Sequence, residues 1–538
     1  MKTHAMGLDC IIIGHYDMDF KTVERDLKKT EDYSGAYRDL KANSLSFHGE
    51  RITYMDLLNK IMAKATGHDP QLHVSRLPHL GAAYLASFLR KLNFNVEVIN
   101  FFNHDKDHLV ELLHASPRAV AITTTLYVEH APIVDIVKFI RQHNSETKII
   151  VGGPRIFNIF SSSGVNIQDY YFREMEADIY VNDSQGELTL SRVLGELSGD
   201  RAPDLSGVPN LAYTSDFKSF QRTRRDIENN DLNENSINWG LFSKDYYTPT
   251  TQTRTARSCA FKCSFCRYPT IAGPLNLSGI DTVELELRRL YAAGSRNIVF
   301  VDDTFNVPLT RFKDMCRMMV RNKFDLNWFS YFRCSNADDE AFDLMEQSGC
   351  RGVFLGIESG DPGILKNMNK FANVERYEYG INQLRKRGIT TFASIIVGFP
   401  GETAQTVKNT MDFLERAAPT FYRAELYYHS TDVPIHKEAE KFGIHSAGYS
   451  WKHDSMDWKA ACDHVENMYR TVKSSTILPG YMFDFWSMPY LVGKGISIEK
   501  LTKFTGIAQE MLLQSFNDPT PDVSDQERRL LHLFSPAQ

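Results

Sequence analysis

The chain has 538 residues, of which 42% are hydrophobic and 24% charged, with a formal net charge of −6. That length calls for two to four domains, each with its own core, and the acidic balance argues against a nucleic-acid partner. No run of about eighteen apolar residues occurs and residues 1–9 carry no signal-peptide pattern, so no membrane association and a cytoplasmic setting are expected.

Residues 8–14 form a short, β-branched apolar run ending in Gly14, the pattern of a buried parallel strand. Residues 18–75 are mixed and polar, with 34–38 reading as a loop and 55–58 as part of a helix. From Leu80 the pattern clears. Helical spacing over 80–90 precedes strands at 96–99 and 119–123, a helix over 133–142, a strand at 149–151 and a further strand–turn–helix over 178–187. Strands alternating with helices imply right-handed βαβ units in a doubly wound sheet, which places ligands beyond the carboxyl ends of the strands. Two such ends carry candidate ligand-binding residues. Thr123, Thr124 and Thr125 offer hydroxyls, and Gly152 and Gly153, followed by Pro154, let backbone approach a ligand closely. A β-turn with a polar helix entry would also account for these residues, and a flavin or nucleotide would also suit such a pocket.

Residues 216–239 are rich in Asn, Asp, Glu and Arg without an apolar face, and read as an exposed linker after a first domain at 1–215. A second domain spans 240–440. Its predicted strands are 251–257, 297–301, 328–333, 352–360, 391–397 and 424–428, with a helix over 283–291. Six strand–helix repeats fit a partial α/β barrel, whose catalytic loops follow the strands. The remaining region, 441–538, is aromatic, with helices predicted over 456–471 and 498–514 and a polar end over 519–538 read as partly disordered.

The first barrel strand runs into the loop Cys259-Ala260-Phe261-Lys262-Cys263-Ser264-Phe265-Cys266. Three of the eight cysteines thus fall within eight positions, spaced C-x3-C-x2-C. A cluster of four irons normally takes four thiolates, so three leave one iron open to a small molecule. A structural zinc site usually wants four ligands, and no fourth Cys or His lies within twenty residues on either side. The other five cysteines are scattered without a disulfide framework, as expected of reduced thiols.

Cys259, Cys263 and Cys266, with Phe265 before the last ligand, resemble the cluster motif of the radical S-adenosylmethionine (SAM) enzymes. The resemblance implies that a 4Fe–4S cluster chelates SAM and, once reduced by a donor such as flavodoxin or ferredoxin, cleaves it to a 5′-deoxyadenosyl radical. It further implies that Asp302 and Asp303 take the SAM amino group, that Arg333 pairs with its carboxylate, that Glu358 meets the ribose, and that Gly398 permits close approach of adenine. Glu402 is either a direct ligand contact or the cap of the following helix.

Ahead of such a barrel, residues 80–187 resemble the cobalamin-binding domain of the B12-dependent branch, which lacks the Asp-x-His-x-x-Gly motif, as this chain does. With the early stretches Asp9-Cys10-Ile11-Ile12-Ile13-Gly14 and Ser34-Gly35-Ala36-Tyr37-Arg38, the overall arrangement most resembles the phosphinate P-methylases within that branch. The resemblance implies an α/β fold with a Rossmann-like cobalamin domain, a partial (β/α)6 barrel and a mostly helical C-terminal region. It implies a methyltransferase using methylcobalamin, acting on an unactivated carbon or phosphinate phosphorus of a small molecule or peptide. Two other readings stay open: a B12-containing radical SAM enzyme that rearranges, cyclises or oxidises without methyl transfer, and a non-enzymatic cobalamin or cluster sensor.

Overall fold

The computed structural model describes residues 7–199, 201–243 and 246–535. They divide into two units interleaved along the chain: those within 7–18, 75–247 and 281–293 in one, and those within 19–74, 248–280 and 294–535 in the other.

The first unit is built on a seven-stranded sheet. From edge to edge its strands are Val96–Phe101, Cys10–His15, Ala119–Thr123, Lys148–Gly152, Ile179–Val181, Leu211–Tyr213 and Gln221–Arg222. The first five run parallel and the last two add antiparallel. Ile11, Ile12 and Ile13 are fully buried, which explains their unbroken apolar run: a parallel strand has helices on both faces. Helix Ala131–His143 takes Pro132 in its first turn and buries Ile133, Ile136, Val137 and Ile140, the one-face spacing of an amphipathic helix.

Residues 216–239 correct the sequence reading. Most of them are exposed, as expected, but they are not a free linker, because Gln221–Arg222 closes the sheet and Leu232, Ile237 and Trp239 are buried. Glu228 is also buried, accepting the backbone N–H groups of Leu188 (2.9 Å) and Thr189 (2.7 Å). A carboxylate there satisfies the unpaired donors at the start of helix Glu187–Leu197. A polar segment can thus be structural without any apolar periodicity.

The second unit carries strands Thr250–Thr253, Asn297–Phe300, Asn327–Tyr331, Cys350–Glu358, Thr390–Val397 and Phe421–Leu426, all parallel and adjacent in chain order, plus a short seventh, Thr476–Ile477. The expected first strand over 251–257 is two pieces, Thr250–Thr253 and Ala256–Arg257, and the second pairs instead with Asn276–Leu277. Residues 19–74, expected in the first domain, pack in this unit, where Tyr54–Thr66 opens with a reciprocal Thr53–Asp56 capping box. The loop expected at 34–38 is largely the start of helix Ala36–Ala42. The expected disorder at 519–538 is also corrected, apart from 536–538, which lie outside the described residues. Helix Ser524–Phe534 buries Leu530 and Phe534 and packs on Tyr54–Thr66 and Ile498–Ser515.

Candidate active site

In the second unit the three cysteines sit on the loop that follows Ala256–Arg257, and the loop is tied down at both ends. At its base Asp302, just beyond strand Asn297–Phe300, accepts hydrogen bonds from Thr255 N (2.6 Å), Thr255 Oγ1 (2.5 Å) and Ala256 N (3.0 Å). Burial pushes its carboxyl upward against those bonds. Arg311 clamps the same turn through Thr255 O (3.1 Å) and Ser278 O (2.8 Å). Further on, Ser264 donates its N–H to Met368 O and its hydroxyl to Asn367 O, both at 2.8 Å, while Ile435 N donates to Ser264 O (2.8 Å). Asn369 Nδ2 donates to Lys262 O (2.7 Å).

All three thiols are free. Cys259 Sγ lies 3.5 Å from Thr304 Oγ1. Burial raises the thiols of Cys263 and Cys266, an effect that Lys370 and Arg333 oppose at Cys263. Two cations facing the loop suit thiolates. Among the described residues no three His, Cys, Asp or Glu side chains converge as a single-ion site. A cluster asks for less convergence, since each thiolate takes its own iron. The donor set therefore fits such a cluster.

The strand ends around this loop carry the other expected residues. Asp303, unlike Asp302, is exposed, yet the surrounding protein raises its carboxyl to about 7, mainly by desolvation. Arg333 lays its guanidinium on Phe261 of the loop, 3.7 Å from the ring centroid, and donates to Phe371 O (3.1 Å). Its remaining side-chain N–H groups make no hydrogen bond among the described residues, leaving a fork for a carboxylate. Glu358 sits where the strand register slips, at φ 65°, and accepts from Lys370 Nζ (2.8 Å) in a buried ion pair. Lys370 was missed by sequence reading. A lysine in a polar loop carries no signal until the fold folds it back against Gly356, where an added Cβ would lie 3.1 Å from its Nζ. Phe265 meets Phe399 edge-on at 6.4 Å, with Lys370 above its ring at 5.5 Å.

Gly398 has φ 95°, and an added Cβ would lie 2.4 Å from Trp451. The residue that approaches closely there is a tryptophan of the C-terminal region. Gly398 O is 3.1 Å from His453 Nε2, and Trp451 stacks on His453. Glu402 does not cap the following helix, a role that belongs to Thr403. It turns back to accept Gly398 N (2.5 Å), and burial pushes its carboxyl up to about 8.

In the first unit, Thr124 bridges two strand ends. Its N–H and hydroxyl donate to Gly152 O (2.9 and 2.8 Å), and its hydroxyl accepts from Arg155 N (3.1 Å). Thr123 and Thr125 share a hydroxyl contact of 3.1 Å. Gly153, at φ 99°, has Thr124 N only 3.0 Å from where a Cβ would stand, and Pro154 opens helix Pro154–Ser162. The same loop region exposes the large apolar side chains of Leu126 and Val128. His79, unmarked in the sequence, is buried beside Gly14 and Gly81. Its Nδ1 accepts Ala82 N (3.0 Å), which leaves its proton on Nε2, without a partner among the described residues. Burial lowers it to about 4 and keeps it neutral. Small residues, hydroxyls, exposed apolar side chains and an orphan donor around the carboxyl ends of the central strands fit a large amphipathic ligand such as cobalamin.

Two family models match the chain, the Radical SAM superfamily over residues 253–414 and the B12 binding domain over 74–164. The chain therefore carries a B12-binding domain followed by a Radical SAM domain, each matched over less than half of its length. An uncharacterised methyltransferase of Pyrococcus horikoshii is 27% identical over 349 residues, covering 63% of this chain and 73% of that protein. The methyltransferase TsrM of Kitasatospora setae, solved with cobalamin and a 4Fe–4S cluster, matches with a TM-score of 0.55 and 23% identity over 67% of this chain and 74% of that one. The radical enzyme OxsB, solved with aqua-cobalamin, matches with a TM-score of 0.58 and 13% identity over 98% of this chain and 76% of that one. The two structures support the fold. Among the described residues no helix is long and apolar enough to cross a membrane.

Proposed function

We propose that this enzyme transfers a methyl group from cobalamin to an unactivated carbon or phosphinate phosphorus of a small molecule. The observation that carries the reading is the anchored three-cysteine loop faced by Arg333 and Lys370, in a chain that also holds a B12-binding domain; the similarity to a methyltransferase favours methyl transfer over other B12-dependent outcomes.

When bound, the reduced cluster supplies the electron that cleaves SAM, and cobalamin supplies the methyl group. The protein's part is to hold and seclude. Cys259, Cys263 and Cys266 would hold the cluster through their thiolates. Arg333 offers its free fork to the SAM carboxylate, and Asp303 takes the SAM amino group, because the oxygens of Asp302 already serve Thr255 and Ala256. Glu358, fixed by Lys370, keeps lone pairs for the ribose hydroxyls. In the other unit Thr123, Thr125, Gly152, Gly153 and the Nε2–H of His79 would line the cobalamin site at the carboxyl ends of the central strands. A flavodoxin- or ferredoxin-type protein supplies the electron.

The test is anaerobic reconstitution with iron, sulfide and hydroxocobalamin, followed by counting S-adenosylhomocysteine and 5′-deoxyadenosine per turnover. Methyl transfer gives one of each; 5′-deoxyadenosine without S-adenosylhomocysteine would leave only a rearrangement or oxidation. Cys263→Ala is expected to abolish the cluster absorption band and SAM cleavage while the corrin bands persist.

A further inference from the structure

One charged group inside the second unit has no role in the site above. Strand Phe421–Leu426 turns Tyr422 and Ala424 to helix Trp458–Thr471, where Tyr422 donates to Met468 O (3.1 Å) and Tyr469 bonds Ala424. Alternation along a strand puts Arg423 and Glu425 on the opposite, inner face. Their register partners are Ser394 and Ile396, and Gly356 lies beside Ser394. That row leads from Gly356 to Lys370 and Glu358 at the cluster end. The other end is plugged by Phe485, which packs on Phe329, Tyr331, Phe354 and Phe392.

Arg423 is an anomaly on this face. Its side chain is 20% exposed, its Nε is buried with no partner, and none of its guanidinium N–H groups makes a hydrogen bond among the described residues. Its nearest anion, Glu425 Oε1, stands 3.4 Å away, longer than a good charged hydrogen bond, and Glu425 also makes no hydrogen bond among the described residues. A guanidinium this far inside a protein is normally forked onto hydrogen-bonding partners, whereas Arg423 has only this one long ion pair. It is held in place regardless, flat over the backbone of Gly480, whose added Cβ would lie 2.7 Å from Nη1. Gly480 N donates to Asn43 Oδ1 (2.9 Å), and Asn43 Nδ2 donates to Asp39 O (2.8 Å). The segment that carries Gly480 also places Tyr481 and Met482 in the left-handed region, at φ 46° and 68°. Strain of that kind in non-glycine residues persists where the surroundings hold the backbone to a task. Asp39 and Asp484 add negative charge within reach of Arg423, and burial raises both carboxyls, Asp39 to about 6.

We propose that Arg423 and Glu425 form the receptor for the free α-amino acid head of the substrate, carboxylate on Arg423 and ammonium on Glu425 and the flanking Asp39 and Asp484. Two opposite charges two residues apart on one strand face, neither hydrogen-bonded, mirror a zwitterion's charges laid antiparallel. The proposal rests on the reading above only in taking the inner barrel face as the substrate face. It makes the substrate a free amino acid and excludes an internal residue of a peptide, which has neither terminal charge.

The experiment titrates the anaerobically reconstituted holoenzyme by calorimetry with each proteinogenic L-amino acid at millimolar concentration, then with the N-acetyl derivative and methyl ester of those that bind. At least one amino acid is expected to bind, and capping either charge is expected to weaken it about thirtyfold or more, the effect of removing one partner of a buried charge pair. Arg423→Gln is expected to erase the penalty for esterification but keep that for acetylation, and Glu425→Gln the reverse, with cluster and corrin bands unchanged in both. Three outcomes overturn the proposal: no amino acid binds, the capped forms bind as well as the free ones, or either variant keeps the wild-type penalties. If the proposal fails while S-adenosylhomocysteine and 5′-deoxyadenosine still form in the reconstituted enzyme, only the substrate head is misassigned; failure to load cluster or corrin would instead count against the methyltransferase.

Discussion

Gly398 shows how one backbone position can join a strand end to a distant aromatic. Its left-handed φ and the ring of Trp451 both exclude a side chain. Gly398→Ala is therefore expected to cost about 1–3 kcal/mol in urea unfolding, from overpacking and an unfavourable φ together. Beside it, Glu402 makes a pH-dependent contribution. Its carboxyl is raised to about 8 in the folded protein against an ordinary 4.5, so the folded state binds a proton that the unfolded state has released in between. Stability from this group is highest below about 4.5, falls as pH rises toward about 8 and then levels off. Glu402→Gln keeps an oxygen for Gly398 N–H and removes the slope. Thermal unfolding of both proteins across that window checks the sign: the variant is expected to gain on the wild type as pH rises. Lys370→Met leaves Glu358 buried and unpaired, at an expected cost of about 3–5 kcal/mol, and Glu358→Leu combined with Lys370→Met is expected to recover much of it.

At the scale of elements, polar segments were the hardest to read. Residues 216–239 and 519–535 carry the composition of solvated chain, and both are ordered by partners far away in sequence: Glu228 by the start of helix Glu187–Leu197, and Ser524–Phe534 by Tyr54–Thr66. Deleting 524–538 removes the buried Leu530 and Phe534 and exposes what they cover. That truncation is expected to destabilise by about 3–6 kcal/mol, at 1.5–3 kcal/mol for each large apolar side chain, read as a lowered urea midpoint. Strands with unbroken apolar runs were legible from the start, because burial on both faces of a parallel sheet writes itself into composition.

For the whole molecule, the two units do not follow a linear domain order. Residues 19–74 leave the first unit after its opening strand, and 281–293 return to it from within the barrel sequence. A fragment ending at 215 is therefore expected not to fold as an independent domain. It would carry Tyr54–Thr66 without Ser524–Phe534, and it would lack the 216–239 segment that closes the sheet. Circular dichroism and a broadened unfolding transition in the fragment would show this, and a sharp cooperative transition would contradict it.

The sequence by itself determined the chemistry that lies close together along the chain: three thiols in eight residues, the strand–helix alternation, and a glycine pair at a strand end. These are local patterns, set by spacing and side-chain type. Only the tertiary structure decided what faces them. Lys370 reaching Glu358, Trp451 closing on Gly398, His79 holding an unpartnered N–H beside Gly14, and Arg423 standing without a hydrogen-bond partner inside the barrel all depend on contacts between residues distant in the chain. Periodicity records which face of an element is buried, and nothing in it records what lies on the other side.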